Sequence, residues 1–152
     1  MPSGIPSQPA QLCLLASLPP AHATEPPRVR FVGRVAGLDA ESATAVLVDM
    51  DPLGGETAAV LIDLTLPVLR GGKPTPRLKD QIMVTGEVTR LAEPLPTIPT
   101  LAVVLPSPVK RPLDLRTVVT IERFDLCEGL DMEQWRAAVR AVQAVRNPAE
   151  AL

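Results

Sequence analysis

The distribution of proline is the feature that most limits what this chain can fold into. Seven of its 18 prolines lie in the first 27 residues, and six more lie between Pro94 and Pro112. Proline lacks an amide N–H and has a fixed φ, so it disrupts helices and central strands. The two clusters therefore predict tails or loops rather than core elements.

Outside the clusters, alternating or continuous apolar residues predict five strands, at residues 28–35, 44–49, 58–64, 81–90 and 117–124. Gly33, in the middle of the first strand, predicts a bulge or a sharp bend. Pro67 interrupts residues 64–69, where we expect a turn or a short helix that crosses one end of a barrel. Five strands in this order are typical of the OB fold.

A helix is predicted after the last strand. Asp131 is suited to cap its N-terminus, and Asn147 and Pro148 end it. Its apolar stripe consists of Met132, Trp135, Val139, Val142 and Val145. The arginines of the helix, at 136, 140 and 146, are expected to point elsewhere.

The predicted fold is thus mainly β: a five-stranded OB-type barrel with a C-terminal amphipathic α-helix. Residues 1–27 are expected to be a Pro-rich N-terminal extension whose leucines lie on the barrel or on a partner. Residues 28–146 are expected to form a single barrel domain, with an irregular insert at 91–116 and the helix at 132–146. Residues 147–152 are predicted to be a tail.

The charge and the aromatic content argue against a protein that binds nucleic acid tightly without a partner. The net charge is -2, the pI is about 5.4, and the aromatic residues are Phe31, Phe124 and Trp135. Two basic groups remain candidates for phosphate contact: Arg28, Arg30 and Arg34 on the first strand, and Lys73, Arg77 and Lys79 near a loop. For both groups, a solvated surface is the alternative interpretation.

The sequence offers little for catalysis or metal binding. His22 is the single histidine, and Cys13 and Cys127 are isolated thiols without metal-ligand spacing. Neither Gly-Gly pair, at 54–55 or 71–72, is followed by the Lys-Ser/Thr of a phosphate loop. We therefore expect no enzyme activity, no cofactor and no metal. The first 27 residues contain no Lys or Arg, which argues against a signal peptide, and no run is long enough to span a membrane.

Several stretches resemble one known family. They are the leucine-rich residues 12–18 followed by RVRFVGRV at 28–35, AVLID at 59–63, VTGEV at 84–88, and EGLDM at 128–132 leading into the helix. Together they resemble the fungal TEN subunit, the smallest member of the telomere-capping CST complex. The chain departs from that family at 91–116, where the family has a shorter join, and at 79–81, where the family tends to carry a Trp after a Gly-Glu pair.

The resemblance implies an OB barrel that acts as a non-enzymatic subunit. It would dimerise with the STN subunit, associate with a larger CST subunit, and contact telomeric single-stranded DNA weakly or jointly with them. It would support DNA polymerase α–primase indirectly, in the nucleus at chromosome ends. We interpret the apolar stripe of the helix as the partner interface, although Trp135 could instead plug its own barrel. Two alternatives remain: a stand-alone OB module for single-stranded nucleic acid, and a small secreted ligand-binding β-barrel.

Overall fold

A computed structural model describes residues 9–21, 25–51, 56–70, 75–102 and 112–146 of the chain. The strands are β1 (Gln11–Leu12), β2 (Arg28–Asp39), β3 (Thr44–Asp51), β4 (Glu56–Asp63), β5 (Gln81–Arg90) and β6 (Thr117–Leu126). The helices are α1 (Thr65–Arg70) and α2 (Met132–Arg146), and a single 3-10 turn covers Leu15–Ser17. The His22 and Lys73 positions and both Gly-Gly pairs fall outside the described residues.

The sheet closes on itself. The strand order is β1-β2-β3-β4-β6-β5, and β5 returns to pair antiparallel with β2. Strands β2 to β6 therefore form a five-stranded barrel in which only β4 and β6 run parallel. Closure removes the open edges that would otherwise be exposed to pairing with other chains. The predicted fold class is confirmed, and α1 lies where a short connecting element was expected.

The first barrel strand differs from its prediction in two ways. It continues to Asp39, because a bulge between Val35 and Gly37 lets residues 37–39 go on pairing with β3. The bulge lies beyond Gly33, so the expectation of a bulge at that glycine was wrong. Gly33 is instead a point of close packing, since a Cβ there would lie 3.1 Å from both Leu15 Cδ1 and Leu47 Cβ.

The barrel interior holds the main hydrophobic core, to which every barrel strand contributes. The N-terminal segment joins it: Cys13, Leu15 and Leu18 are buried in this cluster. Strand β1 pairs in parallel with β2 at Val29 and Arg30, a pairing that sequence reasoning missed. The segment from Pro9 to Ala21, here called the lead, is therefore packed into the barrel rather than onto a partner.

A second, smaller cluster lies on the other face of the sheet. It consists of Ala36, Val46, Val48, Ala59, Leu61 and Val118. Because successive residues of a strand alternate between faces, Val46 and Val48 must point away from the interior that Ala45 and Leu47 fill. Leucines of the insert pack against this outer cluster.

Candidate partner and nucleic-acid surfaces

Helix α2 begins as the sequence predicted. The Asp131 carboxylate accepts hydrogen bonds from the backbone N–H groups of Glu133 (2.9 Å) and Gln134 (3.3 Å). These bonds satisfy two of the amides that the first turn of a helix leaves without an intrahelical partner. Asp131 is thus confirmed as the N-cap, and the orientation of the whole helix is set from this point.

The predicted apolar stripe of α2 is divided between the barrel and solvent. Val139 is 1% exposed, whereas Val142 is 42% and Val145 is 83% exposed. Met132 and Trp135 are half-buried. Each step of three residues falls about 60° short of a full helical turn, so the stripe rotates steadily away from the barrel. Val139 therefore belongs to the chain's own packing, and the C-terminal half of the stripe faces solvent.

An ion pair that sequence reasoning missed fixes α2 to the barrel. Arg136 is 8% exposed, and its Nη2 lies 2.5 Å from Asp49 Oδ1 and 3.3 Å from the Met50 carbonyl oxygen. The expectation that Arg136 points away from the packed side of the helix was wrong. Its position between Met132 and Val139 on the helical surface is the signal that could have placed it there. Asp49 follows Ala45 and Leu47 in inward register, at the end of the strand.

A second arginine fixes the other end of the helix. Arg146 Nη2 donates to the Leu12 carbonyl oxygen over 3.1 Å, which joins the end of α2 to the lead. Between α2 and the strands lies a cavity of about 450 Å³, bordered by Gly33, Met50 and Glu133 among others. The buried Gln81 at its wall donates its side-chain amide to the carbonyl oxygens of Cys127 and Leu130. The polar side chain at this wall is therefore already hydrogen-bonded within the chain.

The arginines predicted to contact phosphates lie together on β2, but they are bound to neighbouring strands. Arg28 Nε forms an ion pair with Glu122 at 2.7 Å, and Arg30 Nε donates to Thr85 Oγ1 at 3.1 Å. Arg34 donates to the Lys79 carbonyl oxygen (2.6 Å) and lies 3.8 Å from Glu128. The neighbouring carboxylates reduce the positive electrostatic potential that these three arginines present to a polyanion such as DNA.

The second basic group is only partly placed. Arg77 and Lys79 are exposed and precede β5, and the hydrogen bond from Arg34 to the Lys79 carbonyl oxygen places Lys79 next to the arginines of β2. Lys73 lies outside the described residues. Phe31 and Phe124 belong to the interior core, which keeps both rings from stacking on bases.

The thiols are arranged for packing rather than for reaction. Cys13 is buried in the core, and neither cysteine forms a disulfide. Burial raises the pKa of the Cys127 thiol, the opposite of what a nucleophilic cysteine needs. In the described ranges, no three His, Cys, Asp or Glu side chains group into a possible metal site. No helix of the described residues is long and apolar enough to cross a membrane.

Comparison with solved structures finds the same barrel. The S. pombe Stn1-ten1 complex matches with a TM-score of 0.53 at 14% identity, covering 91% of this chain and 95% of that chain. The fold is that of an OB barrel. Telomere capping protein Ten1 from S. pombe also matches with a TM-score of 0.53, at 13% identity, covering 89% of this chain and 98% of that chain. These structural neighbours are the proteins to which the sequence resemblance pointed. No protein-family model and no curated protein matches the chain.

Proposed function

We propose that this chain is the small OB subunit of a telomere-capping complex, with no enzymatic activity, and that it dimerises with an Stn1-type subunit. The observation that carries the proposal is the match to Ten1 and to its complex with Stn1 over nearly the full length of both chains. A match of this extent covers far more of the chain than a few paired strands. The sequence resemblance, which rests on short motifs spread along the chain, supports the same assignment.

The exposed side of α2 is the proposed partner surface. Trp135, Ala138, Val142 and Val145, here called the α2 seam, follow one another at intervals of three, four and three residues. This is the spacing of a and d positions, which form the contact line between two packed helices. Ala138, Val142 and Val145 are exposed, and Trp135 is half-buried beside them. Buried tryptophans are enriched among the residues that dominate binding energy.

Met132 and Val139, which were also predicted as interface residues, have a supporting part in this proposal. Val139 is buried within the chain, and Arg136 beside it is paired with Asp49. The barrel side of α2 thus holds the helix in place while the seam faces outward. A partner helix laid along the seam covers apolar surface that would otherwise remain in water.

In the proposed complex, single-stranded telomeric DNA is contacted weakly or jointly with the partner and a larger subunit. The candidate residues of this chain remain Arg28, Arg30, Arg34, Lys73, Arg77 and Lys79. Arg28 and Arg34 form ion pairs with Glu122 and Glu128, and the pI of the chain is low. Both observations support DNA binding that is shared with the partner rather than binding by this chain alone. The site of action is then the chromosome end in the nucleus, with DNA polymerase α–primase served indirectly.

The test is co-expression with the Stn1-type subunit of the same organism, followed by affinity measurement on the purified pair. Val142→Asp places a charge within the seam, and we expect the affinity to fall at least about ten-fold, because the carboxylate must be desolvated on binding. Ala137→Asp adds the same charge on another exposed side of α2 and is expected to change the affinity by less than about two-fold.

Two results would count against the proposal. If the wild-type chain retains no Stn1-type subunit, the telomeric assignment loses its main support. If the subunit binds and both variants behave alike, the heterodimer stands but its interface lies away from the seam. Circular dichroism and urea unfolding of each variant alone confirm that a loss of affinity is not a loss of fold.

A further inference from the structure

The described parts of the insert between β5 and β6, residues 91–102 and 112–116, pack against the outer face of the barrel. Residues 91–102, here called the strap, contribute Leu91, Leu95 and Leu101 to the outer cluster, and Leu113 joins them from the returning chain. The face that they cover is formed by β3 and β4, where Val46 pairs with Leu61 and Val48 pairs with Ala59. In the barrel of five strands, β3 and β4 are the second and third. OB barrels use the outer face of these two strands to bind oligonucleotides and oligosaccharides.

The strap is bound to the barrel at several points along its length. Its first amide, on Leu91, donates to the Arg116 carbonyl oxygen over 2.7 Å, and the Leu95 amide donates to the Leu115 carbonyl oxygen over 3.0 Å. At the far end, the Ala102 amide donates to the Ala36 carbonyl oxygen of β2 over 2.7 Å. The strap therefore crosses the face between two anchored ends.

The returning chain is also tied down. Asp114 accepts hydrogen bonds from the Arg116 amide at 2.9 Å and the Thr117 hydroxyl at 2.9 Å, and it pairs with Arg90 at 3.2 Å. The backbone N–H of Arg116 is the main cause that lowers the pKa of the Asp114 carboxyl. Asp114 thus stays ionised and holds the entry of β6 against the exit of β5.

Strap and strand are fitted closely at Gly37. A Cβ at this position would lie 2.9 Å from the Thr100 carbonyl oxygen and 3.3 Å from Pro99 Cβ. Pro99 is buried, and the prolines at 94, 96 and 99 prevent the strap from forming a helix or pairing as a central strand. The glycine lets the strap backbone approach β2 more closely than any side chain would permit.

The covered face has the wrong chemistry for nucleic acid. Its members are Ala36, Val46, Val48, Ala59, Leu61 and Val118, which are aliphatic without exception. Single-stranded nucleic acid is bound through cationic grooves and aromatic stacking, and this cluster supplies neither. An aliphatic face of this kind must be buried to be stable in water, and the strap buries it.

We propose that the strap is a permanent cover of the oligonucleotide face, so that this face is an intramolecular interface and single-stranded DNA is held on other surfaces. The strap is part of the same chain and stays on this face, rather than opening as a lid for a ligand. The cover itself concerns the barrel of this chain alone, whereas the placement of DNA on other surfaces rests on the proposed function.

The first test uses the wild-type chain labelled with ¹⁵N and titrated with an unlabelled 12-nucleotide single-stranded DNA. We expect the amide signals of residues 46, 48, 59 and 61 and of the strap to stay in place, whatever shifts occur elsewhere. Saturable shifts on β3 and β4, or selective broadening of the strap, would overturn the proposal, because they would place the DNA beneath or in place of the strap.

The second test opens the face by replacing residues 92–101 with ten Gly and Ser residues. We expect binding of a hydrophobic dye to increase several-fold, while the affinity for fluorescently labelled single-stranded DNA changes less than two-fold. A ten-fold or larger gain in DNA affinity would show that the strap is a lid over a working groove. If this variant does not fold, Leu95→Ala combined with Leu101→Ala loosens the same contacts, and the same two readouts apply.

Discussion

The lead and the strap are both Pro-rich and both lack long regular elements, yet the barrel uses them in opposite ways. Cys13, Leu15 and Leu18 of the lead enter the interior core and are almost completely buried. Leu91, Leu95 and Leu101 of the strap remain partly exposed on the outer face. The proline clusters indicated an irregular backbone at both places, but they carried no information about burial.

The spacing of the prolines explains the difference. The lead has nine consecutive residues without proline between Pro9 and Pro19, which leaves room for strand β1 and the 3-10 turn at Leu15–Ser17. In the strap, Pro94, Pro96 and Pro99 leave at most two such residues between them. A stretch without proline can form a strand and a turn that bring several side chains into one space, whereas closely spaced prolines prevent such regular elements. The intervals between the prolines, more than their number, thus account for the different burial of the two segments.

The largest expected effect is at Leu15. This side chain is fully buried, and Leu15→Ala leaves a cavity within the core, so we expect a loss of about 3–4 kcal/mol in the free energy of unfolding. Its counterpart in the strap, Leu95→Ala, removes a partly exposed side chain and should cost about 1 kcal/mol. Urea unfolding of both variants gives the comparison. Equal losses would mean that the strap is as much a part of the core as the lead.

Two glycines test the same contrast by adding an atom instead of removing several. Gly33→Ala places a Cβ 3.1 Å from Leu15 Cδ1 of the lead and from Leu47 Cβ, a crowding that a small shift of these side chains relieves, and we expect a loss of about 1 kcal/mol. Gly37→Ala places a Cβ 2.9 Å from the Thr100 carbonyl oxygen of the strap. This oxygen belongs to backbone that the hydrogen bond from Ala102 to Ala36 anchors, so it cannot move aside easily, and we expect a loss of about 2 kcal/mol.

Gly129→Ala is the matched control, since a Cβ there has no atom within 4 Å. Thermal or urea unfolding of the three variants should rank them as Gly37, Gly33 and Gly129, from the largest loss to the smallest. A larger loss at Gly33 than at Gly37 would contradict the close fit of the anchored strap against β2. Dye binding by the Gly37 variant would then report whether the strap had moved at all.

How much the sequence could predict depends on how far apart along the chain the interacting residues lie. Alternation along a strand reports which face a residue occupies, and it predicted the barrel strands and the Asp131 cap because those signals are local. The Arg136–Asp49 pair joins residues 87 positions apart, and the pairing of β1 with β2 depends on where the lead folds back. Neither leaves a periodic pattern. The inserted leucines of the strap were visible, but the face that receives them appears only once the barrel has closed.

The smallest expected effect concerns the contact between the lead and α2. Arg146 Nη2 donates to the Leu12 carbonyl oxygen in an exposed position, where solvent competes for both groups. Arg146→Gln is therefore expected to change the free energy of unfolding by less than about 0.5 kcal/mol. Hydrogen exchange at the Cys13 amide, which donates to the Arg30 carbonyl oxygen over 3.1 Å, should show that the lead stays paired with β2. A loss above about 1.5 kcal/mol together with fast exchange at the Cys13 amide would contradict this expectation. It would mean that the contact with α2, and not the burial of Leu15, holds the lead in the barrel, because removing a contact releases the lead only if the lead depends on it.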